Sequence, residues 1–363
     1  MTKTYLRATG FVESPQQHDG ESLRLAGNML WFSQVEVIHR SSGSVTRNLV
    51  RVCDWPDYLD TLSDSDRHRC GMLLGHITAP RATLQMGGRT IRLDQPQVMA
   101  IINTTPDSFS DGGKHYDPVA ATESAFAMAT AGSAIIDIGG ESTRPGAPLI
   151  WEGEEIARVE PVISKLAASG TAVSIDTRKA AVMHAAVNAG ATMINDISAL
   201  LYDETALSVA AALGVPVVLM HAPSQGSDPH KNGVYDNVVL DVFDWLEQRI
   251  DAVIAGGIPR DRILVDPGIG FGKSLSENLA IINNLSVYHG LGCALLFGAS
   301  RKRLIGALSN EASADQRLGG SVFLAMKAVE QGAHIVRVHD VPETVQAVQV
   351  WRGLRDSALT ALV

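Results

Sequence analysis

The residues best equipped for chemistry in this chain stand at the ends of short apolar runs. Asn103 follows Val98 to Ile102, and Glu141 with Thr143 and Arg144 follows Ala134 to Ile138. Asp176 follows Ala172 to Ile175, Asn195 follows Thr192 to Ile194, and His221 follows Val215 to Met220. Asp266 follows Ile263 to Val265, Ser300 with Lys302 follows Ala294 to Phe297, and His339 follows His334 to Val338. Two carboxylates and an amide facing one cavity can read the edge of an amino-pyrimidinone. A carboxylate accepts from two adjacent N–H groups, and an amide both donates and accepts. Taken singly, Asp176, Asn195 and Asp266 are also favoured helix N-caps. Three of them, each ending a separate run, favour a shared site, because an acid at a buried strand end is costly unless it meets a donor or water.

The cations point to an anion at the same place. Arg144 lies in Gly139-Gly140-Glu141-Ser142-Thr143-Arg144-Pro145-Gly146-Ala147 and offers a planar fork for phosphate or carboxylate, with a solvated surface arginine as the alternative. Ser300-Arg301-Lys302-Arg303 and Arg337-Val338-His339-Asp340 are both basic in an acidic chain. Arg337 lies inside an apolar run, where an unpaired charge is expensive, and strand alternation puts it on the same face as His339. Asn103 opens a polar, glycine-ended loop and suits a hydrated Mg²⁺ or a phosphate, or else an ordinary turn. His221 reads as a buried histidine bonded to a neighbour, and Met220 as core that can also pack on a flat ring. The stretch Asp266-Pro267-Gly268-Ile269-Gly270-Phe271-Gly272-Lys273-Ser274 fails both nucleotide fingerprints. Pro267 stands where one needs glycine, and Gly270 and Gly272 are too close for the other. No zinc spacing and no nucleophile elbow is present.

Eight such runs in series need elements to carry them. Helical spacing recurs over 177–189, 204–213, 238–255, 274–285, 321–330 and 342–355. Consecutive strand–helix units imply a parallel sheet with right-handed crossovers. Eight units favour closure into an α/β fold of the (β/α)8 TIM-barrel type over an open doubly wound sheet, and a barrel gathers strand-end residues at one mouth. The chain has 363 residues, and a barrel of this kind needs roughly 250. The surplus is residues 1–80, a small β-rich N-terminal extension with strand-like alternation in Met29 to His39, a second strand near Leu49 to Val52 and a short helix within Asp54 to Arg69. It holds no candidate ligand. Thr83 to Leu93 reads as a hairpin about Gly87-Gly88 that closes the barrel bottom. The expected division is 1–80 for the extension and 81–363 for the catalytic barrel.

A hydrophobic content of 45% suits a sizeable core, and a net charge of -9 argues against a nucleic-acid partner. Cys53, Cys70 and Cys293 are scattered, which suggests buried free thiols in a reducing cytoplasm. No apolar signal core and no 18-residue apolar run appears, so a soluble, cytoplasmic protein without a membrane partner is expected.

The motifs resemble those of the dihydropteroate synthases. The resemblance spans about residues 83–355 and rests on seven motifs in order. They are Asn103-Thr104-Thr105-Pro106-Asp107-Ser108-Phe109-Ser110-Asp111-Gly112-Gly113, Gly139 to Gly146, Ser174-Ile175-Asp176-Thr177, Asn195-Asp196, Asp266-Pro267-Gly268, Ser300-Arg301-Lys302 and Arg337-Val338-His339-Asp340. The resemblance implies a transferase that joins a pterin diphosphate to p-aminobenzoate and releases pyrophosphate. It implies Asp176, Asn195, Met220, Asp266, Lys302 and Arg337 around the pterin. It implies Asn103, Arg144, Arg337 and His339 around pyrophosphate, with Asn103 near Mg²⁺. It implies Phe109, Thr143, Pro145, Phe271 and Ser300 around p-aminobenzoate, with Asp176, Lys302, Arg337 and His339 carrying the chemistry. A homodimer through barrel helices, and sulfonamides competing with p-aminobenzoate, follow from the same resemblance. The segment from Met220 to Pro229 departs from the family in lacking its Gln-Gly-Thr-Pro pattern. A methyltetrahydrofolate:corrinoid methyltransferase-like barrel would share the pterin-reading groups, but it has no need of Arg144, Lys302, Arg337 and His339 around a diphosphate. A non-catalytic paralogue would be expected to lack loop residues such as Phe109, Thr143, Arg144 and Lys302, which are present.

Overall fold

The computed structural model describes residues 2–105, 118–142, 144, 146–224, 226 and 228–360. Its first layer is an antiparallel sheet of β1 (Lys3–Val12), β2 (Leu23–Arg24), β3 (Trp31–Ser41) and β4 (Ser44–Arg51), followed by α1 (Trp55–Asp60) and α2 (Asp64–Thr78). A hairpin of β5 (Leu84–Met86) and β6 (Arg89–Ile91) comes next.

Eight parallel strands then close on themselves: β7 (Gln97–Asn103), β8 (Ile135–Gly139), β9 (Val173–Asp176), β10 (Met193–Asp196), β11 (Val217–Met220), β12 (Ile263–Asp266), β13 (Ala294–Phe297) and β14 (Ile335–Val338). Between and after them run α3 (Pro118–Thr130), α4 (Glu152–Ala168), α5 (Ala180–Asn188), α6 (Ala206–Leu213), α7 (Val238–Ala255), α8 (Leu275–Asn283), α9 (Arg303–Leu308), α10 (Leu318–Val329) and α11 (Val341–Leu359). Strand β14 pairs with β7, with Arg337 opposite Met99, so the sheet is a barrel and the open-sheet alternative is excluded.

The strands read as apolar runs because both of their faces are covered. Ile136, Ile138, Val173 and Ile175 face the helices, while Met99, Ile135, Met193, Val218, Leu264 and Ile335 face inward. Leu84, Met86, Ile91 and Leu93 of the hairpin segment pack on that inward set and close the bottom of the barrel, as expected. The site must therefore open at the strands' C-terminal ends.

The extension is not an independent lobe. Its core of Tyr5, Leu6, Phe32 and Leu73 is continuous with the barrel's helical layer. Tyr5 meets Phe243 of α7 edge-on at 5.3 Å, and Phe243 stacks on Tyr288 at 6.4 Å. Ser286 donates to the Ala8 carbonyl at 2.8 Å. One element goes unread in the sequence, and one expectation needs correction. Strand β1 escapes notice because its consecutive Thr4, Tyr5 and Leu6 are all buried, leaving no alternation to read. Cys70 and Cys293 are buried free thiols, but Cys53 is exposed. Among the described residues no helix is long and apolar enough to cross a membrane.

A chain starting at residue 81 would uncover Phe243 and the 285–291 segment. Burying a large apolar side chain contributes about 1.5–3 kcal/mol. The truncated barrel is therefore expected to melt roughly 5–10 °C below the full chain in scanning calorimetry. An unchanged midpoint would show that the shared core contributes nothing.

Candidate active site

Strand β14 delivers Arg337 into the barrel interior. Its Nε donates to Asp137 Oδ2 at 2.6 Å and its Nη2 to Asp176 Oδ2 at 2.6 Å. Asn195 Nδ2 donates to the same Asp137 oxygen at 3.0 Å. Strands β8 and β9 thus meet β14 through side chains, and β10 joins them through Asp137. Burial would weaken the Arg337 charge, but Asp137 and Asp176 outweigh it and raise its pKa. Burial pushes Asp176 upward, against the pull of Arg337 and with the help of the Asp137 charge. The 2.6 Å contact keeps this carboxylate poised between the two influences.

Asp137 is the functional residue that sequence reasoning overlooks. It sits in mid-run, between Ile136 and Ile138, and is fully buried. The signal that identifies Arg337, a charge inside an apolar strand, was equally present there.

The remaining groups surround this pair. Gly298 keeps the space between Arg337 and Asp266 open, since a Cβ there would lie 3.7 Å from Arg337 Cβ and 3.9 Å from Asp266 Oδ2. Gly139 does the same beside Asn103 Oδ1 and Asp176 Oδ2, at 3.7 and 3.8 Å. Asp266 accepts from the Gly268 N–H at 2.7 Å, and burial pushes its carboxyl up. Gly268 has φ +71, and a Cβ on it would fall 1.9 Å from the His221 carbonyl, so no side chain is tolerated at that turn. Lys273 clamps the same loop, donating to the carbonyls of Gly268 at 2.8 Å, Phe271 at 3.1 Å and His221 at 3.3 Å. Lys302 donates to the Ile269 carbonyl and stands 4.7 Å over the Phe271 ring. Burial pushes its ammonium down to about 8, with Asp266 pulling the other way.

Phe271, Met220, Ile197 and Ala222 form one apolar patch, so the residues expected around the pterin and p-aminobenzoate touch each other. His339 Nδ1 lies 3.1 Å from Ser300 Oγ, which also accepts from the His339 backbone N–H at 3.1 Å. Burial and the nearby Arg337 push His339 down to about 4, which leaves it neutral at pH 7.

The N-cap alternative for the three strand-end residues fails. Lys179, Thr205 and Ser274 occupy the N-cap positions of α5, α6 and α8. His221 is buried, but its Nδ1 has no partner among the described residues and its ring packs edge-on against Trp245 at 5.0 Å. Arg144 is exposed on the β8–α4 loop, outside the packed cluster. Phe109, Thr143 and Pro145 lie outside the described residues. A second buried network, also missed, anchors that loop. Lys179 Nζ donates to Glu141 at 3.0 Å, Glu155 at 2.8 Å and the Ile150 carbonyl at 2.8 Å, and Arg178 donates to Glu141 at 2.9 Å.

Around Arg337, the carboxylates of Asp137, Asp176 and Asp266 thus meet the cations Arg337, Lys302 and Lys273. Such a buried set of acceptors and donors suits a ligand that carries both.

The family described as "Pterin binding enzyme" matches residues 99–339. The chain is 43% identical to the dihydropteroate synthase of Escherichia coli strain K12 over 264 residues, covering 72% of this chain and 93% of that protein. It is similar to the Xanthomonas albilineans dihydropteroate synthase solved with 7,8-dihydropteroate (44% identity, TM-score 0.69, 76% of this chain and 99% of that one). It is also similar to the Yersinia pestis dihydropteroate synthase solved with a sulfonamide drug (44% identity, TM-score 0.71, 76% and 100%).

Asp137→Ala removes the acceptor shared by Arg337 and Asn195. Losing one partner of a buried ion pair costs about 3–5 kcal/mol. Urea denaturation is expected to show a loss of that size, and a variant within about 0.5 kcal/mol of wild type would mean that Arg337 is paired well enough without it.

Proposed function

We infer that this chain, which belongs to the dihydropteroate synthases among the pterin-binding enzymes, condenses 6-hydroxymethyl-7,8-dihydropterin diphosphate with p-aminobenzoate. The products are 7,8-dihydropteroate and pyrophosphate, a transferase step of folate biosynthesis. The observation that carries the reading is Arg337 held between Asp137 and Asp176, with Asn195, Asp266 and Lys302 at the same mouth. Asp176, Asn195 and Asp266 read the amino-pyrimidinone edge, Lys302 and Arg337 border the ring, and Met220 packs against it. Phe271, Ser300, Phe109, Thr143 and Pro145 receive p-aminobenzoate.

The bond that breaks joins the pterin methylene to a diphosphate oxygen, and its electron pair leaves with pyrophosphate. The cation left behind is delocalised over the pterin, where the buried carboxylates of Asp176 and Asp266 stabilise it. Arg337, Arg144 and His339 receive the departing anion. The neutral His339 ring shares a hydrogen bond with Ser300 at Nδ1, and its tautomer with the proton on Nε2 would donate to a phosphate oxygen. The aniline lone pair then forms the C–N bond, and the nitrogen loses a proton to solvent. No strong base is required, because this amine is nucleophilic when neutral.

Mg²⁺ fits this mouth as a partner of the substrate. Among the described residues no three His, Cys, Asp or Glu converge on a metal, while Asn103 Oδ1 faces the space that Gly139 leaves open. Asn103 would supply one oxygen, and diphosphate and water the others. Bound there, Mg²⁺ would neutralise charge on the leaving group. A homodimer belongs to the same reading, supported by the exposed Leu308, Phe323, Val350 and Leu354 of α9, α10 and α11. So does a cytoplasmic setting, supported by three free cysteines.

The purified protein is expected to form dihydropteroate from the two substrates, with sulfonamides competing against p-aminobenzoate. Absence of product with Mg²⁺ present would refute the assignment. Arg337→Ala should lower turnover by about a hundredfold or more, and near-normal turnover would remove Arg337 from the chemistry. Lys302 should lose its proton above about pH 8, so the KM for pterin diphosphate should climb on the alkaline side. A KM that stays flat through pH 9.5 would contradict a charged Lys302 at the ring.

A further inference from the structure

The extension's ion pairs with the barrel converge on one helix and the residues that lead into it. Helix α7 presents Asp241, Asp244 and Glu247 on successive turns, and all three meet cations of residues 1–80. Lys3 Nζ lies 2.6 Å from Asp244 and 2.8 Å from Glu247, and Arg69 Nη1 lies 2.7 Å from Glu247. Arg40 pairs with Asp241, and the Tyr5 hydroxyl donates to both Asp244 oxygens at 2.9 and 3.0 Å.

Elsewhere on α7, two side chains touch the segments that follow β10 and β11. Arg249 donates to the carbonyls of Ala199 at 2.7 Å and Leu200 at 3.1 Å. Trp245 packs on His221, the residue after Met220, at 5.0 Å. The turn that Arg249 holds is strained. Ala199 and Leu200 sit at φ +53 and +63, a region that residues with a Cβ seldom occupy. Such a turn persists only where its surroundings over-determine it. Here Asp196 accepts from the Ser198 N–H at 2.7 Å and the Leu200 N–H at 2.8 Å, while Arg249 takes the carbonyls. Asp196 directly follows Asn195.

We propose that the N-terminal extension is a positioning module for the pterin pocket, which acts by holding α7 so that Arg249 and Trp245 press on the segments carrying Asn195 and Met220. This inference rests on the pterin reading given above. Arg249 is a positioning residue, since it touches no reacting atom. With α7 free to shift, the 196–200 turn relaxes and the Asn195 amide loses its register against Asp137. Of the p-aminobenzoate residues, Phe271 touches these segments through Ile197, Met220 and Ala222, whereas Ser300 bonds to His339, so that side is disturbed less.

The test uses the full-length enzyme with both substrates varied. The near-isosteric double variant Asp244→Asn/Glu247→Gln loosens the grip. It is expected to raise the KM and the calorimetric Kd for pterin diphosphate about fivefold, an effect typical of coupling through packed elements, and to leave the p-aminobenzoate KM within about twofold. Arg249→Ala should show the same split, with Arg249→Lys recovering part of it. Combining Arg249→Ala with the grip variant should give less than the product of the separate effects, because both act through one helix. A folded grip variant with a lower melting point but an unchanged pterin Kd would overturn the proposal. So would effects that fall equally on both substrates, or that multiply independently. A wild-type enzyme that binds the pterin diphosphate but makes no product would overturn the reaction assigned above, and the pterin Kd of the variants would still decide this inference.

Discussion

A guanidinium inside a barrel has to be paired, and the pairing of Arg337 with Asp137 and Asp176 sets the terms for the rest of the site. The three side chains come from β14, β8 and β9. They meet only because the sheet closes and β14 lies against β7. In an open sheet β14 would stand at the far edge, and the same residues would be isolated charges on an apolar surface. Closure and the ion-paired cluster therefore depend on each other. The barrel supplies proximity, and the pairing makes a charged interior tolerable.

Below this cluster the interior is apolar and sealed by the hairpin segment; above it glycines and lysines shape the opening. Gly139 and Gly298 keep space beside the carboxylates, while Lys273 and Lys302 tie down the β12–α8 loop through backbone carbonyls. Under the proposed reaction the buried carboxylates would face the pterin, and His339 with the exposed Arg144 would receive the departing anion.

Much of this was legible in the sequence, for a physical reason. Asp176, Asn195, Asp266, Lys302 and His339 each follow an apolar run, and Arg337 interrupts one, so each announces a buried polar group. Asp137 interrupts a run too, yet its partners Asn195 and Arg337 lie 58 and 200 positions away, and no local pattern joins them. The ion pairs on α7 were hidden differently. Asp241, Asp244 and Glu247 look like a solvated helix face until the extension's Lys3, Arg40 and Arg69 are placed against them. The eight barrel strands were readable because burial on both faces makes continuous apolar runs, whereas β1 packs its consecutive buried residues without a period. The placing of Phe109, Thr143 and Pro145 around p-aminobenzoate rests on family resemblance, since they fall outside the described residues.

In the proposed complex, distant charges converge to hold one bicyclic ring above a paired arginine. A crystal structure with a pterin diphosphate analogue tests this arrangement most directly. The ring's amino-pyrimidinone edge should lie within hydrogen-bond distance of Asp176, Asn195 and Asp266, with its diphosphate toward His339 and Arg337 still paired to Asp137. A ring bound away from these three side chains, or an Arg337 that has left both carboxylates, would contradict the account.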